Sequence, residues 1–368
     1  MGDDGIMKYG TQELKDIAFD YYSDLYNTKN SDVRTTSKLL LNVTKTITSQ
    51  QKTDLDKTIT KEELEKVVRK LNRNKTPGPD GIPVEFYQVF WHTIQDLYFD
   101  FITEVQGSAF PDSKNTSITS LIYKNKGEIY LLSNYRPIAL MNVDVKILTK
   151  LLSMRLLYVL PTIIHESQTA VYGRTIGDNI HLVRDIIDLA NKNDDEAALL
   201  FLDQEKAFDR VSHDFLFRVL DKFGFGNSFI NWIKILYSNA CTKININGFH
   251  TKKISLKSGV RQGCPLSALL YVMVIEILAL QLRANPNIVG FNIQGKKIIS
   301  SHYADDAVIK ITQNKCFKEV YKDLHDYEKA SGAKINYDKT KGLWVGKWRQ
   351  RTDDPFQDMY TDNTHRIK

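Results

Sequence analysis

An α+β fold divided into two or three lobes is what the sequence predicts. Segments with apolar residues at helical spacing recur along the chain, and short runs rich in β-branched residues lie between them. Some of these strand-like runs end in, or enclose, carboxylates. A length of 368 residues also exceeds what one compact core accommodates.

Thr11 to Tyr26 patterns as a helix, and a polar Ser/Thr/Asn/Lys linker follows to about residue 58. Thr60-Lys61-Glu62-Glu63 is a capping box, with Leu64, Val67, Val68 and Leu71 behind it at helical spacing. That helix stops at the turn-dense segment Lys75 to Pro83, and an aromatic-rich amphipathic helix runs from about Val84 to Val105. Ser117 to Tyr123 is strand-like and leads to Lys124. Asn134-Tyr135-Arg136-Pro137-Ile138 reads as a turn carrying an arginine, with a helix from Val143 to Leu160 after it. Leu199 to Leu202 is an apolar run ending in Asp203. Asp214 to Phe223 and Ser228 to Ser238 read as helices, and Lys243 to Leu256 alternates like a hairpin turning at Asn247-Gly248. Leu266 to Leu282, interrupted by Ser267, Glu276 and Gln281, falls just short of a membrane span and reads as a buried helix.

The stretch from Ile298 to Ile311 carries the chemistry. It sets Asp305-Asp306 between two apolar, β-branched runs, so the acidic pair reads as the tip of a hairpin. The sequence holds four Asp-Asp pairs, but Asp3-Asp4, Asp194-Asp195 and Asp353-Asp354 all sit in polar surroundings. Like charges held close and partly desolvated raise each other's pKa unless a cation neutralises them. Hard oxygen ligands then favour Mg2+ or Mn2+. Two-metal phosphoryl transfer needs carboxylates from different strands around ions ~3.5–4 Å apart, and Asp203 can join the pair if its strand is a neighbour. The plainer alternative is that Asp203 caps the turn after its strand.

Other residues have two readings each. Phe208 either excludes a 2′-hydroxyl beside a bound nucleotide or fills the core, and Asp209 is taken as structural, a cap. Ser258 to Ser267 bears glycines that let backbone approach a ligand, with Gln262 able to contact base or sugar; the alternative is an ordinary turn opening a helix. Arg136 as a fork and Lys124 as a point charge suit a triphosphate clamp, or are solvated surface charges. Lys339 suits protonation of leaving pyrophosphate, or is a surface lysine. Gly342 to Trp348 either packs on a primer strand or forms a short packing hairpin.

Bulk properties narrow the class. The net charge of +6 leans toward an acidic partner such as nucleic acid, although Lys and Arg are spread along the chain. Three scattered cysteines with no Cys-x-x-Cys argue against a disulfide framework or zinc finger and suit a reducing compartment. The N-terminus lacks an apolar signal core, and Ile6 breaks the myristoylation pattern. The expectation is an intracellular protein, in cytoplasm and nucleus, without a membrane partner. No Gly-x-x-x-x-Gly-Lys-Ser/Thr loop is present, which disfavours a P-loop ATPase.

From about Thr60 to Trp348 the order of these blocks resembles the reverse transcriptase domain of a non-LTR (LINE-type) retrotransposon. Lys75 to Ile82, Asn134 to Arg155, Asp203 to Asp209, Ser258 to Ser267, Tyr303 to Asp306, Asn336 to Thr340 and Gly342 to Trp348 are similar to successive blocks of that family. Tyr123 and Ala268 stand where the family usually has proline, and Ala170 where glycine is usual. The resemblance implies a right-hand polymerase of fingers and palm, with an antiparallel palm sheet backed by helices and the thumb largely absent. Residues 1–58 would be an N-terminal helical extension and linker, 59–198 the fingers, 199–348 the palm with its primer grip, and 349–368 a polar tail. It implies RNA-directed DNA synthesis from an RNA template, a DNA primer and a dNTP, with Mg2+ or Mn2+ on Asp203, Asp305 and Asp306. Lys339 joins these as a catalytic residue. Lys124, Arg136, Gln204, Phe208, Gln262 and Gly263 would bind the nucleotide, and Leu343, Trp344, Val345 and Gly346 would grip the primer. With no endonuclease preceding it and no C-terminal Cys/His segment, the chain is expected to be a fragment of a longer element protein or a decayed copy. Two rivals remain: a nucleic-acid-binding relic without synthesis, and a two-metal nuclease or phosphohydrolase. Nothing in the sequence speaks to oligomeric state.

Overall fold

The computed structural model describes residues 7–29 and 31–353 and shows a mixed α+β protein. The chain forms two compact units that interleave in sequence: residues 1–29, 47–156 and 208–270 make one, and 30–46, 157–207 and 271–368 the other. The four expected segments are contiguous instead. Units defined by packing are a different kind of boundary from functional subdomains.

Helix α1 (Thr11–Leu25) opens the first unit. The supposed polar linker after it contains two short helices, α2 (Val33–Leu40) and α3 (Ser49–Asp56). Asp32 caps α2 through the Arg34 and Thr35 amides, and Thr48 caps α3 through Gln51, where capping carries what apolar periodicity does not announce in α3. Helix α4 (Lys61–Lys70) begins at the expected capping box, with Thr60 and Glu63 bonding each other's amides at 3.3 Å. Next come α5 (Val84–Gln106), the short α6 (Asp112–Asn115) and strand β1 (Thr116–Tyr123). The expected turn at 134–138 is largely strand β2 (Tyr135–Leu140). Its proline is tolerated because β2 lies at the sheet's edge. The expected single helix after it divides into α7 (Val143–Leu157) and α8 (Leu160–Ile163).

Helix α9 (Ile176–Asn193) precedes β3 (Glu196–Leu202), the strand that ends at Asp203. Helices α10 (Ala207–Arg210), α11 (His213–Lys222) and α12 (Asn227–Ser238) lead to β4 (Cys241–Ile246), β5 (Phe249–His250) and β6 (Ile254–Ser255). The β4–β5 turn falls at Asn247-Gly248, where both residues take positive φ, as the sequence requires. Helix α13 (Ser267–Ala284) follows. By length and composition α13 does pass for a membrane span, contrary to expectation, but 72% of it is buried inside the protein, as a core helix must be. Strands β7 (Phe291–Ile293), β8 (Lys296–Ile298), β9 (Ser300–Tyr303) and β10 (Asp306–Ile311), helix α14 (Lys315–Ser331) and strand β11 (Lys341–Gly346) complete the fold.

In the first unit β2-β1-β4-β5 form a mixed sheet, β1 and β4 running parallel, with β6 also on β4. Ala18, Tyr22, Leu25 and Tyr26 of the α1 region pack on Ile244, Ile254 and Leu256. In the second unit β11-β3-β10-β9 form an antiparallel sheet. Ile186 and Ala190 of α9 back it, packing on Ala197 and Leu199 of β3 and Val345 of β11.

Lys310 on β10 is fully buried and donates to the Ser301 hydroxyl. Burial pushes its ammonium pKa down to about 7. An unfolded lysine titrates near 10.4, so between about pH 7 and 10 the unfolded chain binds the extra proton and wild-type stability rises with pH. Lys310→Met, which matches the volume and removes the charge, is expected to stabilise the protein at pH 7 by about 1–4 kcal/mol. The gain should shrink toward zero by pH 10, read by urea unfolding at both pH values.

Candidate active site

The acidic hairpin forms because β9 and β10 pair as far as Tyr303↔Asp306, leaving Ala304 and Asp305 as a two-residue turn. Asp305 therefore occupies the turn and Asp306 opens β10. Strand β3 is the other neighbour of β10, with Leu202 opposite Ala307. Asp203 directly follows Leu202 and Asp306 directly precedes Ala307, so the ladder ends where both acids begin. Burial, then the charges of Asp306 and Asp203, hold the Asp305 carboxyl above the usual carboxylate range. The three carboxylates thus share one electrostatic neighbourhood.

Among the described residues, no three His, Cys, Asp or Glu side chains converge into a ready-made metal cage. The donor set nevertheless fits a hard divalent cation: it is all carboxylate oxygen, and the charges of Asp306 and Asp203 raise the cost of charging Asp305.

The strand end is tied down through the backbone. Asp203 donates its amide to the Thr340 hydroxyl (3.3 Å) and accepts from the Asn336 amide (2.8 Å), while the Glu205 amide bonds the Lys334 carbonyl (2.8 Å). Lys339 lies in this same 336–340 turn, and its side chain is exposed. Gln204 has both ends of its carboxamide engaged: Nε2 donates to the Asp305 carbonyl (3.3 Å), and Oε1 accepts from the Tyr271 hydroxyl (3.1 Å). Tyr271 escaped the sequence reading, although a tyrosine inside so apolar a helix must find a partner for its hydroxyl. The sequence marks Asn336 and Thr340 only as part of a block.

Strand β11 is one edge of this sheet, not half of a hairpin. Leu343 and Trp344 face Leu199 and Ala198 across it, while Val345 and Gly346 face Ala197 and Glu196. Val345 is in the core. The Trp344 ring packs edge-on against Phe317 and Trp348 and beneath the Arg351 guanidinium (4.0 Å), leaving Leu343 the more exposed of the apolar three.

The first unit gathers a second group. Arg136 on β2 is exposed and sits opposite Ile122 of β1. Lys124, just past β1, bonds the Asn134 carbonyl through its amide (2.9 Å) and the Ser133 carbonyl through Nζ (3.2 Å). The 258–263 loop leads toward α13 and is stapled to the 208–211 turn. Val260 donates to the Phe208 carbonyl and Gly259 to the Val211 carbonyl, each at 2.7 Å. Gln262 donates from Nε2 to Asp209 (3.0 Å), and its carbonyl accepts from Ala139 of β2 (2.7 Å). Asp209 is accordingly not a cap: it is buried within α10 and holds Gln262. Phe208 is half-buried. Beneath the loop a recess is lined by Tyr26, Thr119, Ala139, Asp209, Arg261 and Gln262. Burial, then the Asp209 charge, keep the Tyr26 phenol well above its ordinary pKa.

Close approach explains the glycines. Gly263 has φ +105°, and a Cβ there would lie 2.7 Å from the Ala139 carbonyl oxygen; Gly259 has φ +85°, and its Cβ would lie 2.7 Å from that of Asp209. Both need backbone freedom and an absent side chain.

A family model described as reverse transcriptase (RNA-dependent DNA polymerase) matches residues 122–355, well over half of the chain. The "Transposon TX1 uncharacterized 149 kDa protein" of Xenopus laevis is 35% identical over 347 residues, covering 94% of this chain and 26% of its own length. A "Retrovirus-related Pol polyprotein from type-1 retrotransposable element R2" of Popillia japonica is 28% identical over 272 residues, covering 73% of this chain and 37% of its own. The "Probable RNA-directed DNA polymerase from transposon BS" of Drosophila melanogaster is 24% identical over 277 residues, covering 74% and 30%. The chain thus spans between about a quarter and two fifths of the length of these relatives.

Gly259→Ala is expected to cost about 2 kcal/mol or more in chemical unfolding, because a strained φ and a clash with the Asp209 carbonyl add together. Little or no loss would mean that the staple is not held as tightly as the geometry implies.

Proposed function

The chain belongs to the reverse transcriptase family, as the reverse transcriptase domain of a non-LTR retrotransposon, and on that premise we propose that it extends a DNA primer on an RNA template. The reaction is attack of the primer 3′-hydroxyl on the α-phosphate of a deoxynucleotide, with pyrophosphate leaving. The observation that supports this most is the pairing of β3 with β10, which makes the Asp203 strand a direct neighbour of the Asp305-Asp306 hairpin. Had Asp203 ended a strand remote from that hairpin, no shared site would exist.

Asp203, Asp305 and Asp306 would hold divalent cations, which when bound neutralise charge on the triphosphate and favour ionisation of the attacking hydroxyl. The chain's own side chains do the rest. Lys339 hands a proton to the leaving pyrophosphate. Arg136 grips phosphate oxygens as a fork, and Lys124 adds a point charge. Phe208 presents a ring where a 2′-hydroxyl would need room, and Gln262 and Gly263 line the nucleotide pocket, Gln262 with its amide held by Asp209. Leu343, with β11 behind it, offers the apolar contact for the primer. In this reading residues 59–198 serve as fingers and 199–348 as palm, and work takes place in cytoplasm and nucleus. The intact acidic set favours catalysis over a relic that only binds nucleic acid.

The test is the purified chain with poly(rA)/oligo(dT), Mg2+ or Mn2+, and dTTP or UTP. Wild type is expected to lengthen the primer with dTTP. Asp305→Ala should lower incorporation by roughly three orders of magnitude with the thermal transition preserved. Mobility shift without incorporation would favour the relic, and shortening of an end-labelled primer would favour a nuclease. Phe208→Ala should raise the UTP-to-dTTP ratio of kcat/KM about tenfold or more if the ring is the sugar gate. An unchanged ratio would leave Phe208 a packing residue.

A further inference from the structure

The turn that carries Asp305 has an unfavourable backbone. Ala304 sits at φ +51°, in the left-handed region that a residue with a Cβ rarely adopts. Something must hold it there. The strand it ends, β9, lies at an edge of its sheet, and the segment 167–169 of the same unit runs along that edge. His302 donates to the Ser167 carbonyl (2.8 Å), and its own carbonyl accepts from the Thr169 amide (2.9 Å). Between these two backbone bonds Gln168, only 1% exposed, sends its carboxamide past the strand end to the turn. Its Oε1 accepts from the Ala304 amide (3.0 Å) and from the Ala170 amide (3.0 Å), and its Nε2 donates to the Ala304 carbonyl (3.4 Å). Only an oxygen can accept from both N–H groups, so the donors themselves dictate which way the amide faces.

The segment is in turn braced from behind. Arg174 donates to the carbonyls of His165 (2.6 Å), Gln168 (2.9 Å), Ile164 (2.9 Å) and Pro161 (3.3 Å).

We propose that Gln168 is the positioning residue of the acidic turn, its carboxamide closing on both backbone polar groups of Ala304 so that Asp305 keeps its place beside Asp306 and Asp203. This rests on the proposed polymerase reading for its kinetic consequence, but not for the clamp itself. The backbone around Asp305 is thereby gripped at three consecutive peptide groups, by Gln168 at the Ala304 amide and carbonyl and by Gln204 at the Asp305 carbonyl.

The test uses Gln168→Met, which fills the same buried space without either hydrogen bond, and Gln168→Glu, which keeps the oxygen acceptor. Hydrogen exchange of a peptide covering 302–306 should speed about tenfold or more in Gln168→Met and stay within about threefold of wild type in Gln168→Glu, with the β3 peptide 196–202 unchanged in both. In primer extension Gln168→Met should lose about 10- to 100-fold in kcat with KM for dTTP within about threefold. Adding Ala304→Gly, which removes the φ strain, should recover about fivefold of that loss. The proposal is overturned if 302–306 exchanges no faster in Gln168→Met, if KM and not kcat carries the effect, or if Ala304→Gly acts equally in both backgrounds. A wild type that fails to extend primer would sink the polymerase reading alone, since the exchange experiment still decides the clamp.

Discussion

The site depends on one pairing, β3 against β10 in antiparallel register, because it brings together side chains that repel one another. Left to themselves the carboxylates of Asp203 and of the Asp305-Asp306 turn would drift apart into water. They stay together because the strands that carry them are anchored elsewhere: Ala197 to Leu200 on β3 and Ile309 to Ile311 on β10 are all buried. The residual repulsion appears in the Asp305 carboxyl, pushed up by burial and by its two acidic neighbours. A sheet strong enough to hold that arrangement without a cation is a sheet prepared to accept one.

The second group of residues follows the same rule by different means. The 258–263 loop is set by main-chain bonds to the 208–211 turn and to β2, not by side chains that happen to face one another. Side chains there are placed by what their backbones do. Gln262 is the clearest case, its carbonyl held by Ala139 and its amide by Asp209. Such a loop leaves the chain little freedom to rearrange, and glycine at 259 and 263 is the condition for the close approach that makes it rigid.

Most of the fold was legible wherever one local signal sufficed. The Thr60 capping box, the aromatic helix from Val84, the Asn247-Gly248 turn and the strand ending at Asp203 all stand where patterning put them. The failures have local causes too. Helix α3 is short and polar and buries only Leu55, so its cap outweighs its periodicity, while α2 is only eight residues long, too short a window for its buried Leu39 and Leu40 to stand out. Strand β2 was hidden by Asn134 and Pro137, turn formers that an edge strand accommodates. Helices α9 and α14 carried no motif and drew no expectation. At the site the acids could be named from sequence, whereas their supports could not. Gln168, Tyr271 and Asp209 act through contacts with segments distant in the chain, and no spacing rule reports such contacts.

Register is the last thing to explain. Strand β10 buries Ala307, Ile309 and Ile311 on one face, while the other carries exposed Asp306, half-buried Val308 and buried Lys310. A one-residue slip would turn that apolar set out and bring Asp306 in. Between β9 and β10 a buried polar group weighs the same way, because Lys310 finds its hydroxyl partner on Ser301 of the neighbouring strand. Slipped against β9, the buried Lys310 would lose that partner, a penalty that adds to the lost packing. Against β3 the apolar face sets the alignment, with Ala307 opposite Leu202, Ile309 opposite Leu200 and Ile311 opposite Ala198. That alignment brings the end of β3, where Asp203 follows, to the start of β10 at Asp306.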